Sequence, residues 1–197
     1  MSLLSLAAAA ALCVPMIAQE TSTSTSGTKS PVINERRENQ QQRIGEGVEN
    51  GSLTAGEASR LEHKEANLNK EVHNMKSDGN FTAAERAKVR RQENALSKNI
   101  YNQKHDAQVQ NLHPKSEVGQ RQLNQQKRIG EGIENGSLNA REAGRLEHHE
   151  AGLNKEVAVM RQNNGGKLTN GERHLVNHQQ NRTSRAIYRQ KHDAQHR

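Results

Sequence analysis

Apolar side chains recur at three- and four-residue intervals along most of this chain. They are Ile44 and Val48; Leu61, Leu68, Val72 and Met75; Val89, Leu96 and Ile100. The pattern resumes with Ile129 and Ile133; Leu146, Leu153, Val157 and Met160; Val176 and Ile187. That spacing places them on one face of an α-helix. It predicts an all-α fold, with helices near 34–49, 54–76, 82–108, 118–134, 139–161 and 169–195. Each stripe is narrow, which suits a three-helix bundle with short connections. Glu65, Gln92, Glu150 and Gln179 interrupt the stripes and are expected at the edge of a thin seam. Phe81 and Leu168 fall in turns and are expected to plug the bundle ends.

Four matched stretches separate the helices: NGSLTAGE from Asn50, DGNFTAAE from Asp78, NGSLNARE from Asn135 and GGKLTNGE from Gly165. Each has as its second residue a glycine suited to a positive φ after a helix end: Gly51, Gly79, Gly136 and Gly166. Thr54, Thr82, Asn139 and Thr169 follow as N-cap residues. Glu57, Glu85, Glu142 and Glu172 come three positions later, the spacing of a capping box. Each glutamate also suits the positive end of a helix dipole. Each stretch therefore ends one helix and starts the next.

The chain also repeats itself. Gln40–Val72 matches Asn124–Val157 almost throughout, offset by about 85 positions. IYNQKHDAQ from Ile100 matches IYRQKHDAQ from Ile187. The expected architecture is a tandem duplication of a three-helix unit joined by capped short turns. The units would span 34–110 and 118–197, with a linker at 111–117 around Pro114. The QKHDAQ tails and the EGVENG and EGIENG helix ends are the segments to search for a shared surface.

The N-terminal segment changes the picture of location. Residues 2–18 carry no charge and have the length of a signal-peptide core, with Ala18 before the first charged segment. Residues 1–18 are read as a signal peptide, and 19–33, rich in Ser and Thr, as a flexible tether. The expected location is periplasmic or secreted, with no membrane span after signal removal. The single cysteine, Cys13, lies in this leader, so the mature chain would lack disulfides, cysteine-based zinc sites and a thiol nucleophile. Leu, Ile, Val and Phe make up well under a fifth of the remainder. That composition borders on disorder, and the periodic stripes and repeated caps argue for order.

The formal net charge is +7, but Lys and Arg are interspersed with Glu and Asp. There is no Trp and only one Phe and two Tyr, which offers no stacking platform for bases. This points away from nucleic acid and toward an anionic envelope component or a protein client as partner. No glycine-rich phosphate loop or nucleophile–base–acid set is evident, so no enzyme is expected. Ser97 with His105, and Ser184 with His192, recur in both copies, but eight helical residues separate them by roughly 12 Å.

Asp78, Gly79, Phe81, Thr82 and Glu85 resemble the second half of an EF-hand calcium loop, and all four turns keep the Gly, the apolar residue and the Glu. The first half departs from that family: its first and third positions would be Glu46 and Val48, Asn74 and Lys76, Glu131 and Ile133, Arg161 and Asn163. The resemblance implies calcium at the best-preserved turn, with Asn74, Asp78 and Glu85 as candidate ligands. LTAGE from Leu53 and LTNGE from Leu168 also look similar to the LTxxQ motifs of small exported helical stress proteins, with Glu in place of Gln. That resemblance implies chaperone-like client binding. His174 and His178 lie four apart, as do His192 and His196, so each pair could share a helix face; His174 and His178 are candidate metal ligands. In the first copy Ala87 and Arg91 stand where His174 and His178 stand in the second. The expected function is a non-catalytic exported scaffold or interaction module without a cofactor. Ion binding at the turns and chaperone-like holding are the alternatives.

Overall fold

A computed structural model describes residues 27–111, 113 and 115–195. The expected leader, with Cys13 and Ala18, most of the tether, Pro114 and His196 lie outside the described residues. The fold is all-α: six helices and, among the described residues, no strand. They are α1 (Pro31–Asn50), α2 (Ala55–Met75), α3 (Ala83–Lys104), α4 (Glu117–Glu134), α5 (Ala140–Asn163) and α6 (Asn170–Lys191). None is long and apolar enough to cross a membrane.

Several boundaries correct the sequence reading. Helix α1 begins at Pro31, inside the stretch expected to be tether, because proline at N1 or N2 gives up an amide that has no helical partner there. Helix α4 begins at Glu117, capped by Ser116 Oγ, which accepts from the Gly119 amide at 3.1 Å. Helices α3 and α6 stop at Lys104 and Lys191, four residues short of the expected ends. His105 Nδ1 contacts the Tyr101 carbonyl at 2.7 Å, and Asp106 Oδ1 accepts from the Gln108 amide at 2.8 Å. His192 with Tyr188, and Asp193 with Gln195, do the same at 2.7 and 2.9 Å. These side chains take up backbone groups that helix continuation would need.

The four inter-helix turns are built around side-chain caps. Thr54, Thr82, Asn139 and Thr169 each accept from the amide three residues on, while Glu57, Glu85, Glu142 and Glu172 return a carboxylate to the cap amide. At the first turn Glu57 Oε2 accepts from the Thr54 amide at 2.9 Å and from its hydroxyl at 2.8 Å. Gly51, Gly79, Gly136 and Gly166 all have positive φ, where any other residue would be strained. Leu53 and Leu138 in the turns are fully buried and their amides return to the Gly47 and Gly132 carbonyls at 2.9 Å.

The dominant packing runs between the matched segments. Helix α1 lies along α4 and α2 along α5, while α3 flanks α1 and α2, and α6 flanks α4 and α5. Matching positions meet each other. A Cβ on Gly45 would come within 2.9 Å of the Gly130 carbonyl oxygen, and one on Gly130 within 2.9 Å of that of Gly45. At the second crossing Ser59 Oγ donates to the carbonyl of Gly144, its own counterpart in the sequence match, at 3.0 Å. One apolar cluster therefore runs through both halves, from Ile44, Leu61 and Ile100 to Ile129, Ile133, Leu146 and Ile187. Phe81 is buried in this cluster, whereas Leu168 is only partly buried, against a smaller cluster of Val118, Leu153, Val157 and Val176.

Candidate functional site

The interior carries more than hydrocarbon. Glu65 and Glu150, expected at the edge of a seam, are fully buried. The reason is the packing of one half on the other, which covers the faces of α2 and α5 that a lone three-helix unit would leave wet. Gln92 and Gln179 remain partly exposed and donate to Glu71 and Glu156 at 2.7 and 3.0 Å. Glu62 and Glu147 are also buried, each receiving a glutamine from its neighbouring helix: Gln41 Nε2 at 3.1 Å and Gln126 Nε2 at 3.1 Å. Two further buried glutamines tie the flanking helices on. Gln40 Nε2 donates to the Glu93 carbonyl and Ser97 Oγ, both at 2.7 Å; Gln125 Nε2 donates to the Gln180 carbonyl and Ser184 Oγ at 2.8 and 2.9 Å. Ser97 and Ser184 thus serve as acceptors for packing. These glutamines escaped the sequence reading because Gln is ordinarily a surface residue. Their recurrence at matched positions was the signal that could have found them.

Burial governs the ionisation of this interior. The Glu150 carboxyl is pushed up to about 8 by desolvation. Glu147 is held well above the usual carboxylate range by burial, reinforced by Glu150 and Glu62 nearby. Both therefore favour the neutral acid. Among the described residues no group of three or more His, Cys, Asp or Glu is placed to hold a metal ion.

Of the turn residues considered for calcium, Glu85 and Asp78 have carboxylate oxygens engaged locally, and Asn74 its backbone carbonyl. Glu85 Oε2 accepts from the Thr82 amide and hydroxyl, both at 2.8 Å; Asp78 Oδ1 accepts from the Asn80 amide at 2.8 Å; the Asn74 carbonyl accepts from Ser77 Oγ at 2.6 Å. His174 and His178 are exposed on α6.

The structure does bring together the two segments singled out for a shared surface. Lys104, in the first QKHDAQ tail, bonds Glu46 of EGVENG at 3.3 Å; Lys191 bonds Glu131 of EGIENG at 3.4 Å. On the adjoining turn Tyr101 stacks on His105 with ring centroids 4.2 Å apart at 24°, and Tyr188 stacks on His192 with the same values. Both tyrosines are more than half exposed. They are the only two in the chain. Each half thus presents a tyrosine–imidazole pair beside a lysine–glutamate pair, at the C-terminal end of its outer helix.

No protein-family model, curated protein or solved structure matches this chain.

Proposed function

We propose that the chain is a non-catalytic interaction module: two copies of one three-helix unit, fused so that each presents a tyrosine–imidazole pair. The duplication is supported by the sequence match and by the way equivalent positions, Gly45 with Gly130 and Ser59 with Gly144, face each other. Such self-pairing is the signature of a two-fold interface. The arrangement is what fusion of a symmetric dimer would produce. Export by the N-terminal leader would place it outside the cytoplasm as a scaffold for an anionic envelope component or a protein client.

The observation that carries the reading is the matched pair of exposed Tyr101–His105 and Tyr188–His192 stacks. Tyrosine suits a binding surface because it is rigid, apolar across the ring and polar at the tip. Burying neither ring in the fold leaves both for a partner. Two matched tyrosine–imidazole pairs on one body would bind a repetitive or multivalent partner with avidity. The test is capture from envelope extract by immobilised protein, compared across Tyr101→Ala, Tyr188→Ala and the double variant. The reading expects partial loss in each single variant and a disproportionate loss in the double. Equal capture by all four proteins would refute it. Stabilisation by millimolar calcium, abolished by Glu85→Gln, would instead favour the ion-binding alternative.

A further inference from the structure

The two halves differ where α5 meets α6. In the first half Leu96 is buried in the main apolar cluster; its counterpart is Thr183. Thr183 directs its hydroxyl to the Gln179 carbonyl at 3.2 Å and is only partly buried. The apolar interior divides beside it, with Leu153 and Val176 in a cluster separate from that of Leu146 and Ile187. Above Thr183 lies a groove of about 460 Å³, within the usual range of small-molecule sites. Leu153, Thr183 and Ala186 form its apolar part, and Arg182, Arg185 and Arg189 line it from α6.

These three arginines fall at positions i, i+3 and i+7, on one helix face over roughly 10 Å. Their counterparts in the first half are Ala95, Lys98 and Asn102, so two of the three charges are peculiar to the second half. Among the described residues none of the three guanidinium groups is ion-paired. The one carboxylate in the groove, Glu156, is occupied by Gln179 at 3.0 Å. Its counterpart Glu71 is instead neutralised by Lys88 at 2.5 Å, a position held by Leu175 in the second half.

We propose that this groove binds a small organic anion: an apolar body resting on Leu153 and Ala186, with a phosphate or similar oxyanion held by Arg182, Arg185 and Arg189. Guanidinium groups match oxyanions through paired, charge-assisted hydrogen bonds. The groove's lining includes neither Tyr188 nor His192, so the site is distinct from the tyrosine–imidazole pairs.

Titration of isotope-labelled protein with phenyl phosphate, followed by amide NMR, tests this, with inorganic phosphate as the comparator. Saturable shifts are expected over residues 182–189 and 149–156, and weaker binding of inorganic phosphate, which lacks the apolar body. Arg182→Ala with Arg189→Ala should weaken phenyl phosphate binding about tenfold or more, the loss of roughly 1.4 kcal/mol. Thr183→Leu, which fills the groove without removing charge, should weaken it comparably. Binding unchanged in the arginine variant, or shifts scattered over all basic surfaces, would overturn the proposal. Should Thr183→Leu fail to fold, the arginine variant decides.

Discussion

Arg37 Nε stands 3.5 Å from the buried carboxylate of Glu65, whereas the matching positions in the second half are Gln122 and Glu150, an amide and an acid with no cation between them. Gln122 turns to Asn154 instead, at 2.6 Å, and neither Glu150 carboxylate oxygen has a hydrogen-bond partner among the described residues. One substitution, Arg to Gln, thus separates an ion-paired carboxylate from one that is neutral in the fold.

Stability should consequently fall as pH rises. Glu150 binds its proton with a folded pKa of about 8, above the ordinary value of 4.5. The stabilisation from holding that proton is complete below the unfolded pKa and is lost as pH climbs from about 4.5 through about 8. Between pH 5 and pH 7 the loss is on the order of 3 kcal/mol. Glu147 acts in the same direction. Urea denaturation across this window should show a falling midpoint. Glu150→Gln, which mimics the neutral acid, should flatten the dependence and raise stability at pH 8.

The crossing of α1 over α4 tolerates no side chain at Gly45. A Cβ there would sit 2.5 Å from Glu134 Cγ and 2.9 Å from the Gly130 carbonyl oxygen. The first neighbour can swing aside; the second is backbone. Gly45→Ala should cost about 1–3 kcal/mol by forcing the helices apart, despite the gain in helix propensity. Gly152→Ala on α5, where a Cβ meets nothing within 4 Å, should be neutral or stabilising. Thermal unfolding of the two variants checks the contrast.

The caps give a third prediction. Thr82 both accepts from the Glu85 amide at 3.2 Å and donates its hydroxyl to Glu85 Oε2 at 2.8 Å. Thr82→Ala removes both bonds at an exposed helix start and should cost about 1 kcal/mol. Hydrogen exchange should report the loss chiefly at the start of α3.

Filling the gap beside Thr183 gives a fourth. Thr183→Leu restores the residue found at the matching Leu96, which is buried in the continuous core of the first half. Joining the two apolar clusters should stabilise the protein by about 1 kcal/mol. Its melting temperature would be the readout.

The helices themselves were legible because the residues that bury them obey a period. Ile44 with Val48, or Ile129 with Ile133, can satisfy three- and four-residue spacing only on a helix. The turns were legible because a cap is local: Thr54 needs only Glu57 three residues on. Glu65 and Glu150 were misread for the converse reason. Their burial is set by the other half of the chain, some 85 residues away, and no local pattern carries that information. The ends of α3 and α6 were missed because His105 and Asp106 look helix-compatible until their side chains claim backbone groups. The arginine groove went unread because the stripe of the last helix, Val176 and Ile187, skips Thr183 where the first half has Leu96, and such a gap becomes a groove only through packing.

The two halves pack as one interlocked body through α1 with α4 and α2 with α5. Hydrogen exchange measured by mass spectrometry at increasing urea tests this most directly. Core amides of α1 and α2, in the first half, should become exchangeable at the same urea concentration as those of α4 and α5, in one cooperative opening. Loss of protection in one half while the other stays folded would contradict it.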